Sequence, residues 1–565
     1  MNLPITLFNQ TRSFCLVLLL FIIAQCSVGN EDKISADDVK AAQKLIGVEF
    51  SQPEIDTLLS YLEENKHGYD TMRLFKLDYG VAPAIYFDPK PHNFNPKVRT
   101  TKSNWKLPQE VDRPMNDEAI AFMTVAQLSN LIKNQKITSI DLTRIYLARL
   151  KKYNDTLQAT VTITEELALL QAAKADEEIK NGKYKGPLHG IPYGIKDLFS
   201  TPGYKTTWGA TPYKDQQLDE KSAIVQKLED AGAVLVAKLT SGALARGDLW
   251  FGGKTKNPWD LKQGASGSSA GSGSATAAGL VGFSIGTETL GSIISPSTRC
   301  GVTGLRPTYG AVSRAGGMSL SWTMDKVGPI CRSAQDCAIV FSVIKGRSVP
   351  IEEDHVVVNY PFGFNPATNL SAYKIAYFKE LFDKDTTKVG SNNKEALATL
   401  EKLGAVMVPI SLPDSIPYDV FDIILRAEAG AFFDELVREH KDRTMVEQDN
   451  GSRANSLRQS RFISAVEYIQ ANRHRKILIE KFNQTITEFD IIVSPTYGRH
   501  QSLITNLTGH PAISIPNGFD KLGHPTSITL IGNLYDEGPL LEAAYLFQQE
   551  TPFDEKHPER FLVSK

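Results

Sequence analysis

Residues 264–274 read Gly-Ala-Ser-Gly-Ser-Ser-Ala-Gly-Ser-Gly-Ser, the most unusual stretch of the chain. By composition alone, this stretch is typical of a flexible linker. Its neighbours favour another interpretation, because residues 275–278 continue as a small-residue helix and residues 280–285 form an apolar run that predicts a strand. Small residues between packed elements let two backbones approach closely and leave N–H groups facing a ligand. The stretch therefore predicts a site built into the core.

Two further stretches carry residues that could act on a substrate. Residues 286–293, Gly-Thr-Glu-Thr-Leu-Gly-Ser-Ile, follow the predicted strand and expose consecutive backbone N–H groups around Ser292. Such a nest of N–H groups can hold an oxyanion. Upstream, residues 190–197, Gly-Ile-Pro-Tyr-Gly-Ile-Lys-Asp, place Lys196 after apolar and glycine positions. A lone lysine at a strand end is usually solvated, so only the combination of these stretches points to catalysis.

The order of helical and strand patterns indicates the fold class. From about residue 118, helical segments alternate with short apolar runs, such as the helix predicted over 222–231 and the buried strand at 233–237. This alternation is typical of an α/β protein whose sheet is covered by helices. Before it, two amphipathic helices are predicted to begin at Ser35 and Ser51.

These patterns divide the chain into three expected parts. Residues 1–29 are a signal peptide, and residues 30–117 are an N-terminal helical and extended appendage, rich in proline after residue 80. Residues 118–565 form one large domain, and about residues 415–485, which turn helical and charged, form a helical cap insertion within it.

The first 29 residues have the pattern of a secretory signal peptide. They carry one charged side chain and an apolar run at 14–24, which is too short to span a bilayer. Ser27 and Gly29 are the small residues that suit cleavage after position 29. A lipid anchor at Cys26 and an uncleaved signal anchor are the alternatives. We expect a secreted or periplasmic protein with no stable membrane span.

Charge and cysteine content exclude several functions. The 62 basic residues nearly balance the 64 acidic ones, so we expect no nucleic-acid partner. Outside the leader region only three cysteines remain, Cys300, Cys331 and Cys337, so at most one disulfide is possible, and Cys331 with Cys337 would close it locally. The usual zinc-binding spacings of cysteine and histidine do not occur, and we expect no metal.

The three stretches resemble the amidase signature family. The resemblance rests on residues 190–197, on Gly-Ser-Ser-Ala-Gly at 267–271, and on residues 286–292 running into Cys-Gly-Val-Thr-Gly-Leu-Arg-Pro-Thr at 300–308. Later landmarks of the family follow in their usual order, at 257–259, 325–329, 490–495, 508–512 and 530–532. The similarity covers roughly residues 118–550. It implies a single large domain with a central mixed, twisted β-sheet and helices on both faces.

The resemblance also implies a Ser-cis-Ser-Lys triad and no cofactor. Ser292 would be the nucleophile, Ser268 the bridging serine after a cis peptide bond, and Lys196 the ultimate base. A lysine can act as a base only when neutral, which requires burial that lowers its pKa. Neutral Lys196 would take a proton through Ser268 while Ser292 attacks the amide carbon, and water would then hydrolyse the acyl-enzyme.

Four backbone N–H groups would form the oxyanion hole, those of Thr289, Leu290, Gly291 and Ser292. Here the chain departs from the family's Thr-Asp-x-Gly-Gly-Ser-Ile-Arg pattern, at Glu288, Leu290 and Ile294. The usual acid-to-arginine pair is therefore missing, and Arg299 is the partner that closeness in sequence suggests for Glu288. Leu290 is expected to narrow the acyl pocket, so a relative's substrate range does not carry over.

The expected function is hydrolysis of a small-molecule or peptide amide through an acyl-enzyme on Ser292, releasing a carboxylate and ammonia or an amine. Two alternatives stay open. Residues 267–271 also match Gly-x-Ser-x-Gly, the nucleophile elbow of an α/β-hydrolase esterase with Ser269 at its centre, although the residues before it form a poor strand. The other is the glutamine amidotransferase subunit that acts on mischarged tRNA, against which the leader argues. Substrate and oligomeric state do not follow from the sequence.

Overall fold

The computed structural model describes residues 33–75, 78–79, 81, 84–97, 102–347, 356–385, 389–498 and 500–562. The chain divides into two compact units, residues 1–78 and 79–565. The larger unit thus includes residues 79–117, which the sequence analysis groups with the appendage. The predicted signal peptide and Cys26 lie outside the described residues. In the described part of the chain, no helix combines the length and the apolar character needed to cross a membrane.

The described residues of the smaller unit contain two helices, α1 (Ala36–Ile46) and α2 (Gln52–Arg73). Both begin where the sequence predicts. The Ser35 hydroxyl accepts a hydrogen bond from the Asp38 N–H at 3.2 Å, and the Ser51 N–H donates to the Glu54 carboxylate at 2.7 Å. These reciprocal contacts satisfy N–H groups that the first turn of a helix leaves without partners.

The larger unit alternates helices and strands along most of its length. Its helices are α3 (Asp117–Ile120), α4 (Val125–Lys133), α5 (Ser139–Leu157), α6 (Glu165–Lys180), α7 (Ala223–Asp230), α8 (Ala270–Ala277), α9 (Ile294–Cys300), α10 (Ala334–Ile344), α11 (Lys379–Asp383), α12 (Gly390–Lys402), α13 (Asp422–Phe432), α14 (Asp434–Arg438), α15 (Arg453–Ser460), α16 (Ala465–Ile486), α17 (Gln501–Thr508) and α18 (Glu537–Glu550). Its strands are β1 (Thr160–Ile163), β2 (Pro192–Lys196), β3 (Val234–Leu239), β4 (Leu249–Trp250), β5 (Gly253–Lys254), β6 (Lys256–Asn257), β7 (Asp260–Gly264), β8 (Phe283–Glu288), β9 (Thr303–Arg306), β10 (Lys326–Cys331), β11 (Ile375–Phe378), β12 (Met407–Ile410), β13 (Ile491–Pro495), β14 (Ala512–Phe519) and β15 (Pro525–Gly532).

Eleven strands form one mixed sheet, in the order β1-β3-β2-β8-β10-β9-β14-β15-β13-β11-β12. Strand β2 runs parallel to β3 and β8, and β11 runs parallel to β12 and β13, whereas the other pairs are antiparallel. Helices flank this sheet, and β2 and β3 are buried along their whole length. The predicted α/β class with a central mixed sheet is confirmed.

The Gly/Ser-rich stretch is part of the core, as its neighbours predict. Helix α8 begins at Ala270 rather than near 275, and every residue of this helix is buried. Small side chains let it pack tightly, because a Cβ on Gly273 would lie 2.9 Å from the Pro296 carbonyl oxygen of α9. The linker interpretation of this stretch is therefore wrong.

The topology brings the predicted site residues to one edge of the sheet. Because β2 and β8 are parallel neighbours, their carboxyl ends meet at the same edge. Strand β2 ends on Lys196, and β8 ends on Glu288, immediately before the loop that carries Ser292. Ligand sites in α/β sheets commonly lie at such an edge.

Candidate active site

Lys196 and Ser268 lie in direct contact at this edge. The Lys196 Nζ is 2.8 Å from the Ser268 Oγ and 2.8 Å from the Thr287 Oγ1. The lysine side chain is fully buried, and Ser268 is only 1% exposed. A lysine in this position cannot exchange its hydrogen bonds for water, so two hydroxyl groups are its main polar partners.

Burial controls the charge of this lysine. Removal from water lowers the pKa of Lys196 to about 7, against a partial opposing effect of the Asp325 and Glu288 carboxylates. Burial disfavours the charged ammonium because a low-dielectric surrounding solvates it poorly. Near neutral pH a large fraction of Lys196 is thus neutral, the form that accepts a proton.

The loop before α8 holds Ser268 by close backbone contacts. The peptide bond between Gly267 and Ser268 is cis, the geometry that the resemblance implies. A Cβ on Gly267 would lie 1.8 Å from the Gly247 carbonyl oxygen, so only glycine fits there. The Gly242 N–H donates to the Ser268 carbonyl at 3.3 Å. The loop at 242–247 therefore packs directly on the peptide that carries Ser268.

Ser292 follows β8 in a tight loop beside the Ser268 peptide. The Ser292 carbonyl oxygen accepts from the Ser269 N–H at 3.2 Å, and Ser292 is 8% exposed. Gly291 has a φ of +81°, which glycine adopts without strain. Among the described residues, the N–H groups at 289–292 have no protein acceptor, whereas those of Ile293 and Ile294 donate to Glu288. The predicted oxyanion-hole groups are thus available to a ligand.

Glu288 fixes the far side of this loop, with a partner other than the predicted one. Its carboxylate accepts from the Arg306 Nη1 at 2.8 Å and from the Asn506 Nδ2 at 2.9 Å. Arg299, which closeness in sequence suggests, instead donates to Gln263 at 2.6 Å. The pairing of Glu288 with Arg299 is therefore wrong, because β9 carries Arg306 to the same end of the sheet as the end of β8.

The Glu288–Arg306 pair is fully buried, with 0% and 1% of the side chains exposed. Burial alone would raise the pKa of Glu288, but Arg306 and the hydrogen bonds around the carboxylate bring it to about 2. Glu288 is therefore an anion at all physiological pH values. Its charge anchors the two N–H groups that close the loop after Ser292.

Replacement of Arg306 by methionine is expected to lower the free energy of unfolding by about 3–5 kcal/mol, because it leaves the Glu288 carboxylate buried without a counter-charge. Thermal or denaturant unfolding of the purified variant measures the loss. The double variant Glu288→Gln, Arg306→Met is the control and should recover part of that loss, since a neutral amide replaces the stranded charge. An unchanged unfolding midpoint in Arg306→Met would contradict this account.

Ser269, the nucleophile in the esterase alternative, is engaged elsewhere. Its hydroxyl donates to the Thr287 carbonyl at 3.1 Å and accepts from the Thr287 N–H at 3.2 Å. The side chain is fully buried. Ser269 thus fastens the start of α8 to the end of β8, and its hydroxyl is paired with backbone rather than with a histidine.

Two residues near the triad were not identified from the sequence. Thr287 shares the Lys196 ammonium with Ser268, and Asp325 accepts from the Thr289 hydroxyl at 2.5 Å. Both lie within stretches that carry the family resemblance, 286–292 and 325–329, and those motifs were the available signal. The Thr287 contact depends on the pairing of β2 with β8, and the Thr289–Asp325 contact depends on the pairing of β8 with β10. The sequence specifies neither pairing.

A cavity of about 760 Å³ lies apart from these residues. Its lining includes Leu381, Tyr418, Tyr497 and Ser527 but none of Lys196, Ser268 or Ser292. Between the ends of β8 and β10, beside Thr287 and Thr289, lies a small cavity of about 10 Å³. Within the described ranges, no cluster of histidine, cysteine and acidic residues could hold a metal ion. The three cysteines of the body are free and buried.

Known proteins share this architecture. The family model Amidase matches residues 141–502. A glutamyl-tRNA(Gln) amidotransferase subunit from Carboxydothermus hydrogenoformans is 32% identical, over 77% of this chain and 99% of the relative. The corresponding Marinomonas protein is 33% identical, over 77% of this chain and 98% of the relative.

Solved structures give the same picture. Native peptide amidase from Stenotrophomonas maltophilia is 26% identical, with a TM-score of 0.68 over 76% of this chain and 97% of that one. An amidase family protein from Bacillus anthracis has the same fold, with a TM-score of 0.70 at 23% identity, over 79% and 95% of the two chains. Since the family model spans more than half of the chain, and its relatives are matched over nearly their whole length, this protein belongs to the amidase family, the amidase signature enzymes.

Proposed function

We propose that this protein hydrolyses a carboxylic amide through an acyl-enzyme on Ser292. The observation that carries the proposal is the buried contact of 2.8 Å between the Lys196 Nζ and the Ser268 Oγ, at the edge where the Ser292 loop begins. A neutral amine hydrogen-bonded to a serine hydroxyl is an arrangement suited to general-base catalysis.

The proton path follows from these groups. As the Ser292 Oγ attacks the amide carbon, its proton passes to Ser268, and the Ser268 proton passes to neutral Lys196. The tetrahedral oxyanion lies against the N–H groups at 289–292. When the C–N bond breaks, Lys196 returns a proton through Ser268 to the departing nitrogen. Water then attacks the acyl-enzyme along the same path and releases the carboxylic acid.

The substrate has two candidate classes. The first is a free amide, such as a peptide C-terminal amide, which the structural likeness to a peptide amidase at 26% identity favours. The second is glutamine, hydrolysed within an amidotransferase that acts on mischarged tRNA. The identity of 32–33% to amidotransferase subunits favours this second class more strongly than the first. These relatives also give no support to the expectation that the protein lacks a nucleic-acid partner.

Release of ammonia or an amine from amide substrates of the purified protein tests the proposal and separates the classes. The panel is L-glutamine, peptide C-terminal amides, and aliphatic and aryl amides, with Ser292→Ala as the matched control. Release that disappears in the control supports the mechanism. Activity on glutamine that depends on tRNA and on partner subunits favours the amidotransferase class, and activity of the isolated chain on other amides favours the free amidase. No release from any amide would contradict the proposal.

Export is a separate proposal that rests on residues 1–29. N-terminal sequencing and cell fractionation test it: a start at Asn30 outside the cytosol supports export with cleavage, and an intact chain in the cytosol would contradict export. A cytosolic, uncleaved chain would agree better with the amidotransferase class.

A further inference from the structure

Glu428, on α13 of the helical segment at 422–486, is a buried acid whose carboxylate accepts four hydrogen bonds. Its carboxylate accepts from the Ser321 hydroxyl at 2.6 Å, the Thr323 N–H at 3.0 Å, the Thr323 hydroxyl at 2.8 Å and the Tyr468 hydroxyl at 2.8 Å. Only 5% of the residue is exposed. Hydrogen bonds to a charged acceptor in a buried site are short and directional, so they define the position of the groups they join.

The turn at 320–325, which Glu428 holds through Ser321 and Thr323, is connected to the loop at 289–292 by one hydrogen bond. Asp325, at the end of this turn, accepts from the Leu320 N–H at 2.7 Å and from the Ser321 N–H at 3.0 Å through one oxygen. Its other oxygen accepts from the Thr289 hydroxyl at 2.5 Å. Thr289 is the first of the four residues, 289–292, whose N–H groups form the proposed oxyanion hole. The chain of contacts thus runs from Glu428 through the turn and Asp325 to Thr289.

Arg475, on α16, strengthens the same connection. It is 1% exposed, and its guanidinium donates to the Thr323 hydroxyl at 2.8 Å, the Thr323 carbonyl at 2.9 Å and the Leu507 carbonyl at 2.7 Å. The Arg475 cation balances the Glu428 charge across Thr323. The Thr323 hydroxyl donates to the Glu428 carboxylate and accepts from the Arg475 guanidinium. Helices α13 and α16 therefore both hold the turn at Thr323 by hydrogen bonds.

We infer that Glu428 is a positioning residue for the oxyanion hole, and that α13 and α16, through Glu428 and Arg475, are part of the catalytic framework. This inference rests on the proposed function. An oxyanion hole must place its donors 2.7–3.1 Å from the developing charge, and a displacement of about 1 Å can slow a reaction about 100-fold. Loss of the Glu428 contacts frees the turn, and Asp325 then no longer holds Thr289 in register with Ser292.

The test compares three variants by labelling of Ser292 with a fluorescent fluorophosphonate, with the adduct located by peptide mass spectrometry. Glu428→Leu is expected to lower the maximal labelling rate about 100-fold, while the half-saturating probe concentration stays within about 3-fold. Glu428→Gln keeps an acceptor for Ser321 and Thr323 and should restore most of the rate. Asp442→Leu is the matched control, because Asp442 is an acid of the same segment with 3% of its side chain exposed, paired with Arg458 rather than with the turn.

Thermal unfolding of each variant separates positioning from a general loss of structure. A purely structural role would lower the midpoints of Glu428→Leu and Asp442→Leu alike and leave both labelling rates, measured well below those midpoints, unchanged. If Glu428→Leu does not fold, Ser321→Ala replaces it and should fold normally with a fall in rate on the order of 10-fold.

The outcomes distinguish this inference from the proposed function. If the unmodified protein is not labelled on Ser292, the proposed function fails and the inference fails with it. If Ser292 is labelled in the unmodified protein and at the same rate in folded Glu428→Leu, or in Ser321→Ala where the leucine variant does not fold, only the inference is overturned.

Discussion

Ser292→Ala is expected to lower amide hydrolysis by about 10⁶-fold, the scale on which serine hydrolases lose activity when the nucleophile is removed. Without the hydroxyl no acyl-enzyme forms, and the remaining N–H groups can only stabilise direct attack by water. Initial rates on the best amide, together with fluorophosphonate labelling of the purified variant, measure the effect. The adduct present on residue 292 of the unmodified protein should disappear.

Ser269→Ala is the control for this prediction. Ser269 is the centre of the Gly-x-Ser-x-Gly match, but its hydroxyl is bonded to the Thr287 backbone at 3.1 and 3.2 Å. The adduct of Ser269→Ala should therefore remain on Ser292. An adduct on Ser269 that survives in Ser292→Ala would mean that the triad assignment is wrong.

Lys196→Met is expected to lower kcat/KM by about 10²–10⁴-fold, the usual contribution of a general base. The substitution should also remove the rise of kcat/KM with pH that the titration of Lys196 causes. A base acts in its neutral form, which predominates above its pKa, and the pKa of Lys196 is about 7. In the unmodified protein kcat/KM should therefore rise with pH through about 7 and level off above it. Rate measurements from pH 5 to 9 follow this limb.

Lys227→Met is the matched control for the lysine. Lys227 donates to the Ile344 carbonyl at 3.1 Å and to the Lys345 and Gly346 carbonyls at 2.6 Å. These acceptors lie at and after the end of α10, and none of them belongs to the triad. Its loss should leave the pH limb in place. A limb that persists in Lys196→Met, or an unmodified protein whose activity rises only near pH 10, would exclude Lys196 as the base.

For the segment at 415–485, the sequence predicts the helices but not the contacts that they make. Its helical pattern is confirmed, since it contains α13, α14, α15 and α16. Its interpretation as a cap insertion stays a prediction, and the helical pattern does not indicate which residues the segment contacts. Glu428 and Arg475 appear in the sequence as ordinary charged residues of amphipathic helices. Their role depends on burial against a turn more than 100 residues away, which no local pattern reports.

The sequence by itself determined the local chemistry of this protein. Glycine and serine at 264–274 mark a close backbone approach, and the run at 286–293 predicts a loop that exposes N–H groups around Ser292. Both features depend on residues that are neighbours in the chain. The alternation of helix and strand likewise predicted an α/β sheet, since periodicity is a local property.

Only the tertiary structure decided which distant groups meet. Lys196 reaches Ser268 across 72 residues and Thr287 across 91, because β2 and β8 lie side by side in parallel. The partner of Glu288 is Arg306 rather than Arg299, because β9 joins the sheet next to β10 and carries Arg306 to the end of β8. The depressed pKa of Lys196 arises in the same way, since burial is a property of the packed sheet and not of any residue in the sequence.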